Sequence, residues 1–291
     1  MEKTRKNLKI MPEYFREYFI RNKEIRPVSR FDEVLVFQGK SLYDAIRIIK
    51  GIPLFFEKHY HRLIYTAAVA EIEILLTEKE IRKRIEQLME ANHVNEGNIK
   101  LVFNQNDENG TRCMLAYFVP FRYPTADELL NGVDTLFFRG ERKIPNSKLI
   151  DKKLREATEN AKNENRVFEV ILVDKDGFIT EGSRTNVFFI RNNHVYTTPL
   201  TDVLPGVTRS CVIEICGKSG IPLTETKIHS SEISQYNALF LSGTSPGILP
   251  VKKLEHNSIP ANNKVMREIM RCFDEVVKNY MELNMRKLIS S

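Results

Sequence analysis

The segment from residue 168 to residue 252 is a dense succession of short apolar runs, each separated from the next by a turn signal. The runs FEVILVD, FITEG, TNVFFI and VYTTP are divided by KDG and RNNH turns, and ALFLSGTSPGILPV places two more strands around a small-residue turn. Short strands with turns at this density predict an antiparallel sheet packed against a few helices. We therefore expect this half of the chain to be an α+β unit built on an antiparallel-rich sheet.

The first half of the chain mixes predicted strands with two predicted helices. RFDEVLVFQGKSLYDAIRIIKGIPLFF predicts strands joined by hairpins at QGKS and KG, and NIKLVF and TRCMLAYFVPF predict two more strands around NQNDENG. Helices are expected in EKHYHRLIYTAAVAEIEI and in TEKEIRKRIEQLMEANHV. The second begins with a capping-box pattern at Thr77 and Glu80. Its apolar face consists of Ile81, Ile85, Leu88 and Met89.

The segment RYPTADELLNG is interpreted as a connection between two α+β halves. We expect a small N-terminal domain at residues 1–122, a connection at 123–132 and a larger C-terminal domain at 133–291. A chain of 291 residues is long enough for such a division. In the larger domain, helices are predicted from Asp151 to Asn165, in VTRSCVIEICGKSG, and from Asn263 to Met285.

Composition and charge leave few broad classes open. No stretch approaches the roughly 20 apolar residues that span a bilayer, and the N-terminal MEKTRKNLKIMPEYF lacks the apolar core of a signal peptide. A cytoplasmic protein without membrane contact is expected, and its four cysteines, which lack CxxC spacing, are expected to be free thiols. The net charge of +6 suggests a nucleic-acid-binding protein as an alternative, but basic and acidic residues are interleaved and no stacking aromatic motif accompanies them.

Neither a nucleotide-binding motif nor a metal-binding motif is present with the required residue spacing. QGKS and CGKS resemble the end of a P-loop, but the required earlier glycine would be Val34 or Val212. The histidines of HYH, His59 and His61, would point to different faces of a helix, and no third ligand is evident. We expect no metal site.

Two other segments are suited to bind an anion. In LPGVTR, Pro205 and Gly206 precede a predicted helix, so the amides of Val207 and Thr208 are free at its positive end. In SGTS, a strand ends in a turn whose backbone N–H groups and hydroxyls can surround an oxyanion. With Glu181 in a third loop, these segments suggest a ligand with a phosphate at one end and a partner for a carboxylate elsewhere.

Three successive segments resemble the signatures of the class IV (fold type IV) pyridoxal-phosphate aminotransferases. They are EVILVDKDGFITEGSRTNVFFI, YTTPLTDVLPGVTRSCVIEIC and LFLSGTSPGILPV, and SLYDAIRIIKGIPLFFEKHYHRL is similar to the family's N-terminal motif. Together they cover most of residues 30–252. The family contains branched-chain aminotransferases, D-amino acid aminotransferases and aminodeoxychorismate lyases. The resemblance implies a two-domain fold, pyridoxal 5′-phosphate as cofactor, amino acid and 2-keto acid substrates, and a homodimer with its site near the subunit interface.

The resemblance also implies roles for individual residues. Glu181 would bind the pyridine nitrogen, where an ionised carboxylate keeps that nitrogen protonated and the ring withdraws electrons from the substrate. Ser183 and Thr185 would tune or orient the edge of the ring, and Asn186 would fix the loop. The phosphate contacts would be Arg62, Val207 through its amide, Thr208, Ser242 and Thr244.

Lys148 is the predicted cofactor-binding lysine. It lies 33 residues before Glu181, which is the family's spacing between these two groups. Lys143, Lys152 and Lys153 are the alternatives, and the last two are expected to begin an exposed helix. Burial beside the cofactor would lower the pKa of the lysine, so that it attacks as the free amine and then moves the Cα proton.

Departures from the family pattern leave the substrate open. Lys153 stands where branched-chain enzymes usually have a tyrosine. Arg112 falls roughly where D-amino acid enzymes place a carboxylate-binding arginine, but the histidine expected nearby is Met114. Tyr43 and Ser245 are further candidates for substrate contact. We expect an aminotransferase that acts on branched-chain-like amino acids by ping-pong chemistry, with a D-amino acid aminotransferase or an aminodeoxychorismate lyase as alternatives.

Overall fold

The computed structural model describes residues 14–37, 39–106, 110–142 and 144–289, and these contain two separate sheets. The strands of the first sheet are β1 (Tyr18–Arg21), β2 (Glu24–Pro27), β3 (Lys40–Ile49), β4 (Ile52–Pro53), β5 (Gly97–Asn106) and β6 (Thr111–Val119). Their order is β2-β1-β6-β5-β3-β4, and each neighbouring pair is antiparallel.

The second sheet is larger and mixed. Its strands are β7 (Val133–Arg139), β8 (Glu169–Val173), β9 (Phe178–Gly182), β10 (Asn186–Arg191), β11 (His194–Thr197), β12 (Leu223–Glu225), β13 (Ile228–His229), β14 (Ala238–Gly243), β15 (Gly247–Leu254) and β16 (Asn257–Ser258). The order is β12-β11-β10-β14-β15-β7-β8-β9-β13, with β16 beside β15. Only β7 with β8, β7 with β15 and β11 with β12 are parallel among the described pairs. The predicted antiparallel-rich α+β class is confirmed.

Seven α-helices accompany the two sheets in the described part of the chain. They are α1 (Val34–Phe37), α2 (Phe56–Val69), α3 (Glu78–Ala91), α4 (Ala126–Asn131), α5 (Lys152–Asn165), α6 (Val207–Lys218) and α7 (Lys264–Ile289). The helices predicted in the sequence correspond to α2, α3, α5, α6 and α7. The last one extends four residues beyond the predicted end at Met285.

Helix α3 shows how the sequence pattern determines an element. The side chain of Thr77 accepts a hydrogen bond from the Glu80 N–H, and the Glu80 carboxylate accepts one from the Thr77 N–H, so the predicted capping box forms. The predicted apolar face is buried in the core beside the first sheet. Burial of each such large aliphatic side chain contributes roughly 1.5–3 kcal/mol, which is why tertiary packing rather than helix propensity holds α3 in place.

The strand predicted in VLVF is wrong, because these residues form the short helix α1. The side chain of Asp32 accepts a hydrogen bond from the Val34 N–H at 3.0 Å, and the Asp32 carbonyl accepts one from Leu35. An aspartate side chain that accepts a hydrogen bond from an N–H two residues later stabilises the start of a helical turn. Here this hydrogen bond outweighs the preference of the valines for a strand.

Several elements were not predicted. The hairpin of β1 and β2 and the strand β7 are among them, as is α4 inside the segment interpreted as a connection. Helix α4 begins with a capping box at Thr125 and Glu128. This T-x-x-E pattern is visible in the sequence and could have predicted the helix. Lys143 and part of the predicted NQNDENG turn lie outside the described residues.

Along the sequence, the strands of the first sheet all precede residues 123–132 and those of the second all follow them. The hydrophobic cores beside the two sheets are nevertheless not wholly separate. Ile52, Leu54 and Phe55, which follow the first sheet's β3, pack with residues of α6 and α7 in a shared apolar cluster. The domain limits at residues 122 and 133 therefore stay a prediction.

Three broad sequence expectations concern membranes, thiols and metals. No described helix is both long and apolar enough to cross a bilayer. All four cysteines are free thiols, as predicted. Among the described residues, no group of three or more His, Cys, Asp or Glu side chains could hold a metal ion.

Candidate active site

Lys148 lies at the edge of the first sheet, although the chain reaches it only after β7. Its carbonyl oxygen accepts a hydrogen bond from the Tyr43 N–H at 3.1 Å. Its neighbour Leu149 forms an antiparallel bridge with Leu42 in β3. The backbone that carries the lysine is thus fixed by strand pairing, as expected for a lysine at a strand edge before α5.

The amine of Lys148 lies over the ring of Tyr43, with Nζ 4.6 Å from the ring centroid. Burial lowers the pKa of Lys148, and the guanidinium groups of Arg62 and Arg142 lower it further, while Tyr43 and Asp44 oppose the shift. A lysine with a lowered pKa holds more of its amine form at neutral pH, and the amine is the form that attacks a carbonyl. The environment of Lys148 therefore favours nucleophilic chemistry.

Glu181 lies near the end of β9 and is only 3% exposed. Its Oε1 accepts a hydrogen bond from Arg142 Nε at 2.5 Å. Its Oε2 accepts from the Leu204 N–H at 3.2 Å and from Asn186 Nδ2 at 3.4 Å. A buried carboxylate is costly unless it is paired and hydrogen-bonded, and these donors offset that cost while they fix its direction.

Arg142 was not predicted, yet it joins the two sides of the site. Its Nη2 donates to the carbonyl of Ser183 at 3.1 Å, and the charge of its guanidinium acts on the phenol of Tyr43. Through Arg142, the carboxylate of Glu181 is connected to Tyr43, which in turn lies against Lys148. No local pattern marks this arginine, because its partner Glu181 is 39 residues away in the chain.

The loop after Glu181 is organised by Glu169, a buried carboxylate at the start of β8 that the sequence analysis also missed. Glu169 accepts hydrogen bonds from the hydroxyls of Ser183, at 2.6 Å, and Thr185, at 3.3 Å, and from the Arg184 N–H at 3.1 Å. The Ser183 hydroxyl thus points to Glu169, so contact between Ser183 and a cofactor stays a prediction. The sequence signal that could have identified Glu169 was a charged residue at the start of the apolar run EVILV.

Asn186 locks the start of β10 to the start of α6. Its Nδ2 donates to the carbonyl of Leu204 at 3.0 Å, and a Cβ added to Gly206 would lie 2.0 Å from its Oδ1. Any side chain at position 206 would therefore force Asn186 to move. Gly206 is also the N-cap of α6 and provides no side-chain cap, so the N–H groups of Val207 and Thr208 have no partner within the helix.

The predicted anion-binding turn follows β14, immediately beside Asn186. Ser242 pairs with Asn186 in the register of β10 and β14, and Thr244 lies partly exposed in the turn. The buried hydroxyl of Ser242 has no hydrogen-bond partner among the described residues. Ser245 accepts a hydrogen bond from Asn98 Nδ2 at 2.6 Å, which ties the turn to β5 of the first sheet.

Arg62, on α2, is buried and paired with a carboxylate rather than unpaired. Its Nε donates to Asp44 Oδ2 at 3.0 Å and its Nη2 to Asp44 Oδ1 at 2.5 Å, and His59 Nδ1 lies 2.9 Å from the same Oδ1. Asp44 therefore offsets the cost of burying Arg62, which weakens the argument that a phosphate is needed for that purpose. Phosphate binding by Arg62 stays a prediction. Helix α2 does lie beside α6, where Lys58 and Glu214 form an ion pair.

Of the residues predicted to contact the substrate, Tyr43 lies beside Lys148 and Arg112 does not. Tyr43 lies between Lys148 and Lys100, whose Nζ is 4.7 Å from the ring centroid of Tyr43. Lys100 is buried on β5 and was not predicted. Arg112 is different, because its side chain is 47% exposed and forms an ion pair with Glu73. The structure brings Tyr43 to Lys148 but does not bring Arg112 there.

The residues of the site fit the cofactor that the resemblance implies. Pyridoxal phosphate needs an amine for its aldehyde, an acceptor for its ring N–H and donors for its phosphate. Lys148 and Glu181 offer the first two. The unpartnered hydroxyl of Ser242 and the open N-terminus of α6 offer donors to an anion, and such a helix end favours a phosphate.

Comparisons with known proteins agree with this geometry. The family model described as "Amino-transferase class IV" matches residues 41–254. The chain is 28% identical over 239 residues to the D-alanine aminotransferase of Bacillus licheniformis, covering 76% of this chain and 81% of that protein. It is 22% identical over 269 residues to the branched-chain-amino-acid aminotransferase of Pseudomonas aeruginosa, covering 85% of each.

The fold agrees as well. The crystal structure of the Escherichia coli branched-chain amino acid aminotransferase superposes with a TM-score of 0.79 at 20% identity, over 90% of this chain and 95% of that one. The resemblance found in the sequence is confirmed, because the family model spans well over half of the residues. The chain belongs to the class IV aminotransferases, which are transaminases that depend on pyridoxal phosphate.

Proposed function

We propose that this transaminase moves an amino group from a branched-chain-like L-amino acid to 2-oxoglutarate. The observation that carries the proposal is the line of interactions from Lys148 through Tyr43 and Arg142 to Glu181. It joins an amine suited to attack an aldehyde to a carboxylate suited to accept a hydrogen bond from a pyridine nitrogen. These are the two groups that a pyridoxal-phosphate enzyme uses at different edges of the ring.

In this proposal Lys148 has two tasks. It would bind the cofactor covalently, and once an amino acid has displaced it, its amine would take the proton from the substrate Cα and deliver it to C4′ of the cofactor. Glu181 holds the ring nitrogen. The bound cofactor supplies an electron-withdrawing ring that stabilises negative charge at Cα.

The phosphate is assigned to the N-terminus of α6 and to the turn after β14. Val207 and Thr208 offer backbone N–H groups at the positive end of the helix, and Ser242 and Thr244 offer hydroxyls from the adjacent strand end. Arg62 is the cation assigned to this anion, and it would then share its charge between the phosphate and Asp44.

The charge around Tyr43 supports an acidic keto acid as the amino acceptor. Lys100 and Arg155, like Lys148 and Arg142, place positive charge near the phenol and lower its pKa. A ligand with a second carboxylate is attracted to such a site. Tyr43 also packs on apolar residues, among them Val36 and Val102, which supports an apolar amino acid side chain as the other substrate.

Stereochemistry is the first point to test, because the relatives named above include both a D-alanine and a branched-chain enzyme. The visible absorbance of the purified, cofactor-loaded protein is followed while single L- and D-amino acids are added. Bleaching by L-leucine, L-isoleucine or L-valine, and return of the colour with 2-oxoglutarate, is the expected result. Bleaching by D-amino acids alone would replace the proposal with a D-amino acid aminotransferase.

The lyase alternative is tested with aminodeoxychorismate as the substrate and no keto acid present. Pyruvate would accumulate from a lyase without an acceptor, whereas a transaminase releases no pyruvate from this compound. The expected result is that no pyruvate forms, while glutamate appears when L-leucine and 2-oxoglutarate are supplied together.

The lysine is tested by covalent trapping. Borohydride reduction fixes the cofactor on the lysine that binds it, so the Lys148→Ala variant should carry no reduced cofactor in a peptide map. The Lys153→Ala variant is the matched control, because Lys153 is an exposed lysine at the start of α5, and it should be labelled like the unchanged protein. A label that persists in Lys148→Ala would transfer the role to another lysine.

We also propose that the protein is a homodimer, as the resemblance implies. Light scattering coupled to size exclusion should give twice the chain mass of 33.8 kDa. A fully active monomer would contradict this part of the proposal.

A further inference from the structure

The lysine segment, residues 144–148, turns sharply just before Lys148. The Ser147 N–H donates to the Ile144 carbonyl at 3.1 Å, which closes a four-residue turn. Pro145 and Asn146 occupy its two central positions, and proline is favoured at the first of these because its φ is already fixed. The turn therefore fixes the backbone of Asn146, two residues before the lysine.

The side chain of Asn146 reaches across to the loop between β11 and α6. With its NH2 group turned toward that loop, the amide donates to the Leu200 carbonyl at 2.7 Å and to the Val203 carbonyl at 2.8 Å. Leu200 begins a single 3₁₀ turn, and Val203, just after that turn, is buried. An amide NH2 group has two N–H donors, and these two carbonyls use both.

The same loop carries groups already assigned to the cofactor site. Next to Val203, the Leu204 N–H donates to Glu181 Oε2 at 3.2 Å. Two residues later, Gly206 is the N-cap of α6, whose first N–H groups are assigned to the phosphate. Asn146 therefore attaches the lysine segment to the loop that holds Glu181 and leads to the phosphate site.

This attachment crosses from one sheet to the other close to the lysine. The backbone of Lys148 is paired with the first sheet, through the Tyr43 N–H and the neighbouring bridge of Leu149. Glu181 belongs to the second sheet. Arg142 also reaches Glu181, but it lies before the turn, six residues from the lysine. The side-chain bonds made two residues from Lys148 are therefore well placed to hold its amine relative to the second sheet.

We propose that Asn146 is a positioning residue, which sets where the Lys148 amine stands relative to the cofactor aldehyde. In the step that it assists, the amine nitrogen forms a C=N bond with the aldehyde carbon, and the two amine protons leave with the aldehyde oxygen as water. Such a step depends on geometry, because a displacement of about 1 Å costs roughly 100-fold in rate. The inference rests on the proposed role of Lys148 and adds the side chain that holds its segment.

The test separates positioning from binding with two forms of the cofactor, each added to protein freed of its own. Pyridoxal 5′-phosphate carries the aldehyde, and its rate of covalent capture at saturation is followed by visible absorbance. Pyridoxamine 5′-phosphate has the same ring and phosphate but an amine in place of the aldehyde, so it cannot bond to the lysine. Its dissociation constant, measured by equilibrium dialysis, reports the noncovalent site alone.

Asn146→Ala removes both side-chain bonds to the loop, while the bond between Leu204 and Glu181 remains. The capture rate should fall by about tenfold or more, whereas the dissociation constant for pyridoxamine 5′-phosphate should change by less than about twofold. The pH midpoint of capture should stay where it is, because the amide that is removed carries no charge.

Asn146→Asp is a second variant of the same size. Its carboxylate has no donor at neutral pH and faces two carbonyls, so it should slow capture at least as much as Asn146→Ala. Asn146→Gln keeps an NH2 group and should recover part of the rate that Asn146→Asp loses. The comparison of these two variants carries the test if Asn146→Ala does not fold.

Asn165→Ala is the matched control. Asn165 is an exposed asparagine at the end of α5, where its Nδ2 donates to the Ala161 carbonyl of the same helix at 2.9 Å. This variant should match the native protein both in the capture rate and in the dissociation constant.

Two results would overturn the inference: a capture rate that Asn146→Ala and Asn146→Asp leave unchanged, or equal losses in capture rate and in affinity for pyridoxamine 5′-phosphate. The second would mean that Asn146 supports the whole site rather than the lysine. If either occurs in a protein that transaminates, the proposed function stands and the positioning role fails. If capture depends on Asn146 but no branched-chain amino acid bleaches the cofactor, the positioning role stands and the proposed substrates fail.

Discussion

Arg142 Nε donates a hydrogen bond to Glu181 Oε1 at 2.5 Å, and both side chains are largely removed from water, with exposures of 13% and 4%. A buried ion pair of this kind is sensitive to loss of one partner, because the remaining charge is left in a poorly solvating environment.

The first prediction concerns this pair. Glu181→Ala should lower the free energy of unfolding of the cofactor-free protein by about 3–5 kcal/mol, since it leaves the guanidinium of Arg142 uncompensated. Urea denaturation measures the change. The double variant Glu181→Ala/Arg142→Met should recover part of the loss, and simple additivity of the two single changes would show that the pair is not coupled.

The second prediction concerns the start of α6. Gly206→Ala places a methyl group 2.0 Å from Asn186 Oδ1, so Asn186 must move away from both Glu181 and the Leu204 carbonyl. Cofactor affinity, measured by equilibrium dialysis, should fall by about tenfold, equivalent to about 1.4 kcal/mol.

Gly217→Ala is the matched control in the same helix. A Cβ there meets nothing within 4 Å, and alanine favours a helix over glycine by about 0.5–1 kcal/mol. Affinity should be unchanged and stability equal or higher. Equal affinities for the two variants would mean that Asn186 adapts to a methyl group without disturbing the site.

The third prediction concerns a cap supplied from a distant helix. The N-cap residue of α2, Phe55, has no side-chain cap, but Tyr280 Oη on α7 accepts the Phe56 N–H at 3.0 Å and donates to Glu57 at 2.7 Å. Tyr280→Phe should cost about 1–2 kcal/mol of stability, because both partners lose a hydrogen bond.

Thermal and urea unfolding measure the effect of Tyr280→Phe. The exposed Tyr65 on α2 gives the comparison, and its replacement by Phe should change stability by less than about 0.5 kcal/mol. Similar losses in the two variants would show that the cap contributes nothing beyond the removal of a hydroxyl.

The fourth prediction is a pH dependence. The pKa of Tyr43 is about 7 in the folded protein, against about 10 for tyrosine in an unfolded chain. Between these values the unfolded state binds a proton that the folded state has lost, so this group makes the free energy of unfolding rise with pH. The contribution is complete above about pH 10 and is lost as the pH falls through about 7.

The measurement compares urea unfolding of the native protein and of Tyr43→Phe, both free of cofactor, at several pH values between these limits. The stability difference between them should grow in favour of the native protein as the pH rises. A difference that is independent of pH would mean that Tyr43 ionises alike in the folded and unfolded chains.

The fifth prediction concerns the keto acid. Lys100→Met removes a buried cation near Tyr43, so the KM for 2-oxoglutarate should rise more than the KM for a keto acid with one carboxylate. Steady-state kinetics with both acceptors measure the split. Lys252→Met, which alters an exposed lysine on β15, is the control. Equal increases for both acceptors would remove Lys100 from recognition of the second carboxylate.

Local signals in the sequence were sufficient for elements whose determinants are close in the chain. The capping box at Thr77 and Glu80, the turn at Lys50 and Gly51 between β3 and β4, and the turn after β14 all depend on residues within a few positions of one another. The same reasoning failed at VLVF, because the side chain of Asp32 outweighed strand propensity there.

Side chains whose role depends on distant partners were not predictable in this way. Arg142 pairs with a residue 39 positions away, and Lys100 reaches Tyr43 only because β3 and β5 are neighbours in the first sheet. Glu169 looks like an ordinary strand residue in the sequence, but in the structure four donors bond its carboxylate. The resemblance to a family predicted roles for Lys148 and Glu181, but it gave no indication of Arg142, which lies between them.

The bridge between Leu42 and Leu149 has a mechanical meaning. It clamps the lysine to the six-stranded sheet, whereas the groups assigned to the ring nitrogen and the phosphate are anchored in the ten-stranded sheet and α6. The attacking amine and the groups assigned to its target are thus anchored in different sheets. The distance that the amine must span is therefore set by how the two sheets pack together, and the apolar cluster that Ile52, Leu54 and Phe55 share with α6 and α7 contributes to that packing.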